Sequence, residues 1–85
     1  MYVMEYIKNN LDQKLTLEVI SDVANMSKAT LNRHFLETIG LSPMSYVLKK
    51  RVEKARELMD KRQHNKTEVA QMCGFYDVSH MNKYL

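Results

Sequence analysis

The sequence predicts an all-α fold, on three observations. Apolar residues recur at helical spacing in six successive segments. Serine, threonine, asparagine and aspartate stand where helix starts need caps. The 85 residues hold only two glycines and one proline, too few for a low-complexity or disordered chain. That length suits one domain, or a fragment of one, with a modest core and no room for a separate ligand-binding domain.

The elements follow in order. Residues 2–11 read as a first helix, with Val3, Tyr6 and Ile7 on its apolar face and Asn9-Asn10 at its end. Thr16 is a plausible N-cap for a short second helix through Ala24, burying Leu17, Ile20, Val23 and Ala24. Asn25 tolerates the left-handed conformation that a tight helix-ending turn needs. Ser27 caps a third helix from Lys28 to about Ile39, whose stripe is Leu31, Phe35 and Ile39, and Gly40 stops it. Ser42-Pro43 starts a fourth helix, an N-cap followed by proline in the first turn. It runs to about Lys61, with Met44, Val47, Leu48, Val52, Ala55, Leu58 and Met59 on one side. Its other side carries opposite charges at i,i+4, Lys49 with Glu53 and Glu57 with Lys61, and reads as a solubilising face. Asn65 with Glu68 resembles a capping box for a fifth helix ending at Cys73-Gly74. Asp77 can cap a sixth helix that starts at Val78.

Two of these stretches repeat. Ile20-Ser21 corresponds to Val69-Ala70, and Val23-Ala24-Asn25-Met26 to Met72-Cys73-Gly74-Phe75. After one extra residue, Leu31-Asn32-Arg33-His34-Phe35 corresponds to Met81-Asn82-Lys83-Tyr84-Leu85. Both copies read helix, tight turn, helix. A steep, close crossing needs a small contact residue, Ser21 or Ala70. The turn needs positive φ, at Asn25 or Gly74, and then an apolar plug, Met26 or Phe75. The second helix needs an inward apolar pair, Leu31 with Phe35 or Met81 with Leu85. Each copy then turns an Asn followed by Arg or Lys outward, toward a major groove. The fold expected is all-α, homeodomain-like: two helix-turn-helix subdomains, residues 1–41 and 63–85, joined by a long linker helix at 42–62. A plain bundle of duplicated hairpins would share this spacing.

Size and charge agree with a duplex partner. A fourth helix of about 18 residues spans roughly 27 Å, and successive major-groove faces lie about 34 Å apart. Residues 1–40 carry a net charge of −1 and residues 41–85 one of +4. A basic half is compatible with phosphate neutralisation, and equally with a well-solvated helix surface. The two units differ in sequence, so a monomer would read an asymmetric site.

Other classes find no support. There is no Gly-rich phosphate loop, nucleophile elbow or evident carboxylate pair, so no enzyme is expected. His34, His64 and His80 with Cys73 give no recognised metal spacing, and no cofactor is expected. Cys73 cannot form an internal disulfide, no run approaches membrane-spanning length, and no signal peptide opens the chain; a cytoplasmic protein without a membrane partner is expected.

The order of motifs resembles the AraC/XylS family of bacterial transcription regulators. They are Leu15-Thr16-Leu17-Glu18, Met26-Ser27-Lys28, Leu31-Asn32-Arg33-His34-Phe35 and Gly40-Leu41-Ser42-Pro43. Tyr46, Arg51-Val52-Glu53-Lys54-Ala55, Leu58-Met59, Thr67-Glu68-Val69-Ala70 and Gly74-Phe75 continue the series to the last residues. The resemblance implies a transcription regulator that places one recognition helix of each unit in successive major grooves and contacts RNA polymerase. By matched position, Ala29, Asn32 and Arg33 would face bases from the first unit, and Val78, Ser79, His80, Asn82 and Lys83 from the second. Ser27 and Lys28, at a helix N-terminus, suit phosphate. Arg33 suits guanine, or equally a phosphate or plain solvent. The family domain continues past the equivalent of Leu85 and commonly has phenylalanine at Met81 and Leu85, so a shortened second unit is expected. A protein-interaction module that pairs with a full-length regulator and modulates it is the alternative.

Overall fold

The computed structural model describes residues 2–85. Six helices follow one another: α1 Tyr2–Asn9, α2 Leu17–Ala24, α3 Lys28–Ile39, α4 Pro43–Lys61, α5 Lys66–Met72 and α6 Val78–Asn82. The caps explain most of these boundaries. Thr16, Ser27, Ser42, Asn65 and Asp77 each accept a backbone N–H from the first turn of the helix that follows. At α5 the exchange is reciprocal, because the Glu68 carboxylate also accepts the Asn65 amide at 3.0 Å. Gly40 closes α3 at φ 72° and Arg62 closes α4 at φ 55°.

The chain builds two cores rather than one. The first gathers Val3, Ile7, Leu11, Leu15, Ile20, Leu31, Phe35, Tyr46 and Val47 from α1–α3 and the start of α4. The Phe35 and Tyr46 rings meet edge to face, centroids 5.7 Å apart, and lock α3 to α4. The second gathers Ala55, Val69, Ala70, Cys73, Phe75 and Met81, with Leu48, Val52, Leu58, Met59 and Val78 packed against it. Helix α4 is therefore a rod shared by both cores. The molecule is 39 Å long and 21 Å across.

Several sequence expectations shift. Ile39 is exposed. A strict four-residue step drifts ahead of the 3.6-residue turn, so Ile39 lies about 80° from Leu31 around the axis. Leu85 is 43% exposed, since α6 ends at Asn82 and cannot carry the period that far. The partner of Glu53 is Lys50, at 3.2 Å, and not Lys49. The Lys50 stem is held over the Tyr46 ring, ammonium 5.5 Å from the centroid, which aims it at Glu53. No ion pair forms between Glu57 and Lys61 among the described residues.

Candidate nucleic-acid interface

Each recognition helix is held by the turn before it, and the two turns are built alike. In the first, the Asn25 amide donates to the Asp22 carbonyl at 3.1 Å and the Met26 amide to Ser21 at 3.0 Å. In the second, Gly74 donates to Gln71 at 3.3 Å and Phe75 to Ala70 at 2.9 Å. Both are Schellman closures, with the left-handed residue at φ 54° for Asn25 and 81° for Gly74. The residue that accepts the longer-range bond is in each case the small buried one, Ser21 or Ala70. A larger side chain there would push the crossing helices apart. Ser21 keeps its hydroxyl satisfied by donating to the Glu18 carbonyl at 2.9 Å.

Helix α3 buries Leu31 and Phe35 and packs on α2 and α4. Ala29 and Arg33 are exposed and Asn32 is half-exposed. Among the described residues the Arg33 guanidinium pairs with Glu37 alone, at 4.0 Å, an exposed contact of little strength that leaves it available. Ser27 is spent on the cap: it accepts the Thr30 amide at 3.1 Å and donates to the Thr30 hydroxyl at 2.9 Å. Lys28 is paired with Glu18 of α2 at 3.1 Å. It braces the two helices of the first unit.

Helix α6 is shorter and its exposed set is smaller. Met81 is buried, and Val78 packs part of its side chain against the second core. Ser79, Asn82 and Lys83 are exposed. The His80 ring lies edge-on to Phe75 and Tyr84, and its Nδ1 accepts the Tyr76 amide at 3.3 Å. That is a bracing role within the turn. Asp77 accepts the His80 amide at 2.8 Å and fixes the first turn.

Three residues stand out in the structure that the sequence reading does not single out. Tyr76 is 92% exposed and lines one surface hollow with Gln71 and Ser79 and another with His80 and Lys83. It is the extra residue of the second copy, and that insertion was the available signal. Lys54 lies on the face read as solubilising and Arg51 is placed on neither side of the fourth helix, yet both donate to backbone carbonyls of other elements. Arg51 reaches Leu11 at 3.2 Å and Gln13 at 3.0 Å, and Lys54 reaches Met72 at 3.1 Å. Burial lowers the Arg51 pKa from its ordinary value, against the opposing influence of Cys73. Burial likewise pushes the Cys73 thiol up, opposed by the Lys54 and Arg51 charges. Among the described residues no three His, Cys, Asp or Glu side chains cluster as a metal site, and no helix is long and apolar enough to cross a membrane.

Comparison with known proteins agrees with this geometry. A family profile described as a helix-turn-helix domain matches residues 20–85. The chain is 36% identical over 70 residues to a probable transcriptional regulator, LumQ, of Photobacterium leiognathi, covering 82% of this chain and 28% of that protein. It is 30% identical over 80 residues to the HTH-type transcriptional activator RhaS of Enterobacter sp. (strain 638), covering 94% and 29%. The chain thus spans less than a third of the length of these curated relatives. Its fold superposes on the DNA-binding domain of AdpA, a global transcriptional factor crystallised with a target DNA. That match has a TM-score of 0.92 at 25% identity, over 98% of this chain and 75% of that one. Duplicated turns on a shared rod, the profile match and these likenesses lead to one conclusion: the chain belongs to the AraC/XylS-type family of helix-turn-helix DNA-binding domains.

Proposed function

We propose that this domain binds double-stranded DNA sequence-specifically as a monomer, setting α3 and α6 into successive major grooves on one face of the duplex. In this reading residues 1–41 are one reading head, 63–85 the other, and 42–62 the spacer. The observation that carries it is the pair of matching Schellman turns at opposite ends of α4, each followed by a helix with an Asn, half-exposed Asn32 or exposed Asn82, next to an exposed Arg33 or Lys83. Arg33 and Asn32 are the base-reading residues of the first head, with Ala29 leaving room for close approach. Ser79, Asn82 and Lys83 form the smaller second set, with Val78 and His80 shaping its edge. Ser27 and Lys28 border the phosphate backbone at the N-terminus of α3. Transcriptional control from a cytoplasmic site, through contact with RNA polymerase on the bound promoter, is the regulatory part of this reading and rests on the family resemblance.

Random-site selection with the full chain, followed by titration of the selected duplex across salt concentrations, tests it. The expected result is an asymmetric bipartite site and a log affinity that falls linearly with log salt. Binding that ignores sequence and salt, or no duplex shift beside tight capture of a full-length regulator, would overturn it in favour of an interaction module.

A further inference from the structure

The linker helix is more than a spacer at one point. Arg51 stands between Val47 and Ala55 at four-residue steps, and both neighbours are fully buried. It lies on the inward strip, between the two cores. Its Nε donates to the Leu11 carbonyl at 3.2 Å and its Nη2 to the Gln13 carbonyl at 3.0 Å. Both acceptors belong to the segment that leaves α1. Against both the Leu11 carbonyl and the guanidinium is Gly74, the turn glycine of the second unit. A Cβ on Gly74 would collide with the Leu11 carbonyl oxygen and with the Arg51 guanidinium. Leu11 of the first unit, Arg51 of the rod and Gly74 of the second unit therefore meet at one place. Three residues along α4, Lys54 donates to the Met72 carbonyl at 3.1 Å and ties the same turn down from its other side. An open groove of about 490 Å³ runs beside this junction, between Gln13 and Lys14 on one wall and Gln71 and Tyr76 on the other.

A rod with one unit packed at each end fixes each unit to itself, but leaves their mutual angle to bending and twisting of the rod. A direct contact between the units removes that freedom. The planar guanidinium suits such a contact, since its fork holds two carbonyls in one fixed geometry. Losing it would leave the part-buried Leu11 carbonyl short of a donor and the exposed Gln13 carbonyl to water.

We propose that Arg51, seated against Gly74, is a positioning residue that sets the angle between α3 and α6, and so the half-site separation the domain accepts. The proposal rests on the DNA-binding reading for its consequence, so its test has one arm that needs no DNA.

Residual dipolar couplings of the backbone amides are measured on the full chain as wild type, Arg51→Gln and Arg51→Lys. The wild type is expected to fit a single alignment tensor. Arg51→Gln is expected to need two, one for each unit, with the couplings inside each unit unchanged; Arg51→Lys, which keeps one donor, falls between. A single tensor for Arg51→Gln overturns the proposal. The second arm titrates the selected duplex and versions with one base pair added or removed between half-sites. Wild type is expected to lose about tenfold or more in affinity at altered spacing, because both heads must engage at once. Arg51→Gln is expected to bind the parent duplex about tenfold more weakly and to spread less than about threefold across the three spacings. Weaker binding with the wild-type spacing penalty intact also overturns it. If Arg51→Gln fails to fold by circular dichroism, Arg51→Lys carries both readouts. If the wild type binds no duplex, the DNA reading falls while the couplings still decide whether Arg51 positions the two units.

Discussion

The α-carbon of Gly74 lies directly against the carbonyl oxygen of Leu11, with no space for a side chain between them. The two residues are far apart in sequence: Leu11 belongs to the first core, and Gly74 lies between Cys73 and Phe75 of the second. This contact separates two demands that a turn glycine usually meets together. One is positive φ, which Asn25 satisfies equally well at 54° in the first copy. The other is close approach of backbone to backbone, which the second copy alone requires.

Exchanging the two turn residues therefore gives unequal results. Asn25→Gly is expected to change stability by less than about 1 kcal/mol, since both residues adopt the left-handed conformation. Gly74→Asn keeps a residue tolerant of that φ but drives a Cβ into Leu11 and Arg51, and is expected to destabilise by about 2–3 kcal/mol. Urea unfolding of both variants checks this. Equal effects would mean that the Leu11 contact yields without strain.

These residues also show where the sequence was legible and where it stopped being so. Caps and turn residues act within four or five positions, so Thr16, Asn25, Ser27, Ser42, Asn65, Gly74 and Asp77 could all be placed from local chemistry. The repeat gave the small contact residues Ser21 and Ala70 for the same reason. What failed depends on partners distant in sequence or on where a helix runs out. Arg51 enters the sequence reading only within a family motif, although its four-residue steps from buried Val47 and to buried Ala55 mark it as inward. The pairing of Lys28 with Glu18 likewise becomes visible only once α2 and α3 cross. Leu85 was assigned to an inward pair by extending a helix that ends at Asn82. Of the candidate site, Arg33, Ser79, Asn82 and Lys83 emerge exposed, whereas Val78 and His80 lean on their own unit.

Asp77→Ala is expected to act mainly on the second reading head. Its carboxylate accepts the His80 amide at 2.8 Å, and α6 spans only five residues, so the cap holds a large share of that helix in place. Loss of about 1 kcal/mol is expected. Hydrogen exchange should quicken at His80 and Met81 while the Leu31 and Phe35 amides of α3 keep their protection. Uniform loss of protection through both cores would contradict this local account.

Arg33 and Lys28 should separate in DNA titrations. Arg33 is exposed and weakly engaged, so Arg33→Ala is expected to weaken binding by about 1–3 kcal/mol and relax preference at one base pair. Lys28 is already paired with Glu18 at 3.1 Å. Lys28→Ala should therefore weaken binding to selected and scrambled duplexes by the same small factor. Equal loss on both duplexes for Arg33→Ala would assign Arg33 to phosphate instead.

Cys73 is expected to set an alkaline limit on stability. Burial raises the pKa of its thiol above the ordinary cysteine value of 9.0, despite the nearby Lys54 and Arg51 charges. The unfolded chain loses that proton first as pH rises. Between the unfolded and folded values the native state binds more protons, so the slope of stability with pH is negative. This contribution is fully present below pH 9.0 and declines as pH rises through the higher folded value. Chemical denaturation at a series of pH values from neutral to above the cysteine range should show this decline in the wild type and a flatter profile in Cys73→Ser, which has no thiol to titrate. Thiol reagents should label native Cys73 slowly and the urea-unfolded chain rapidly. Rapid labelling without denaturant, or an unchanged alkaline decline in Cys73→Ser, would show that the buried thiol is not the group that sets the limit.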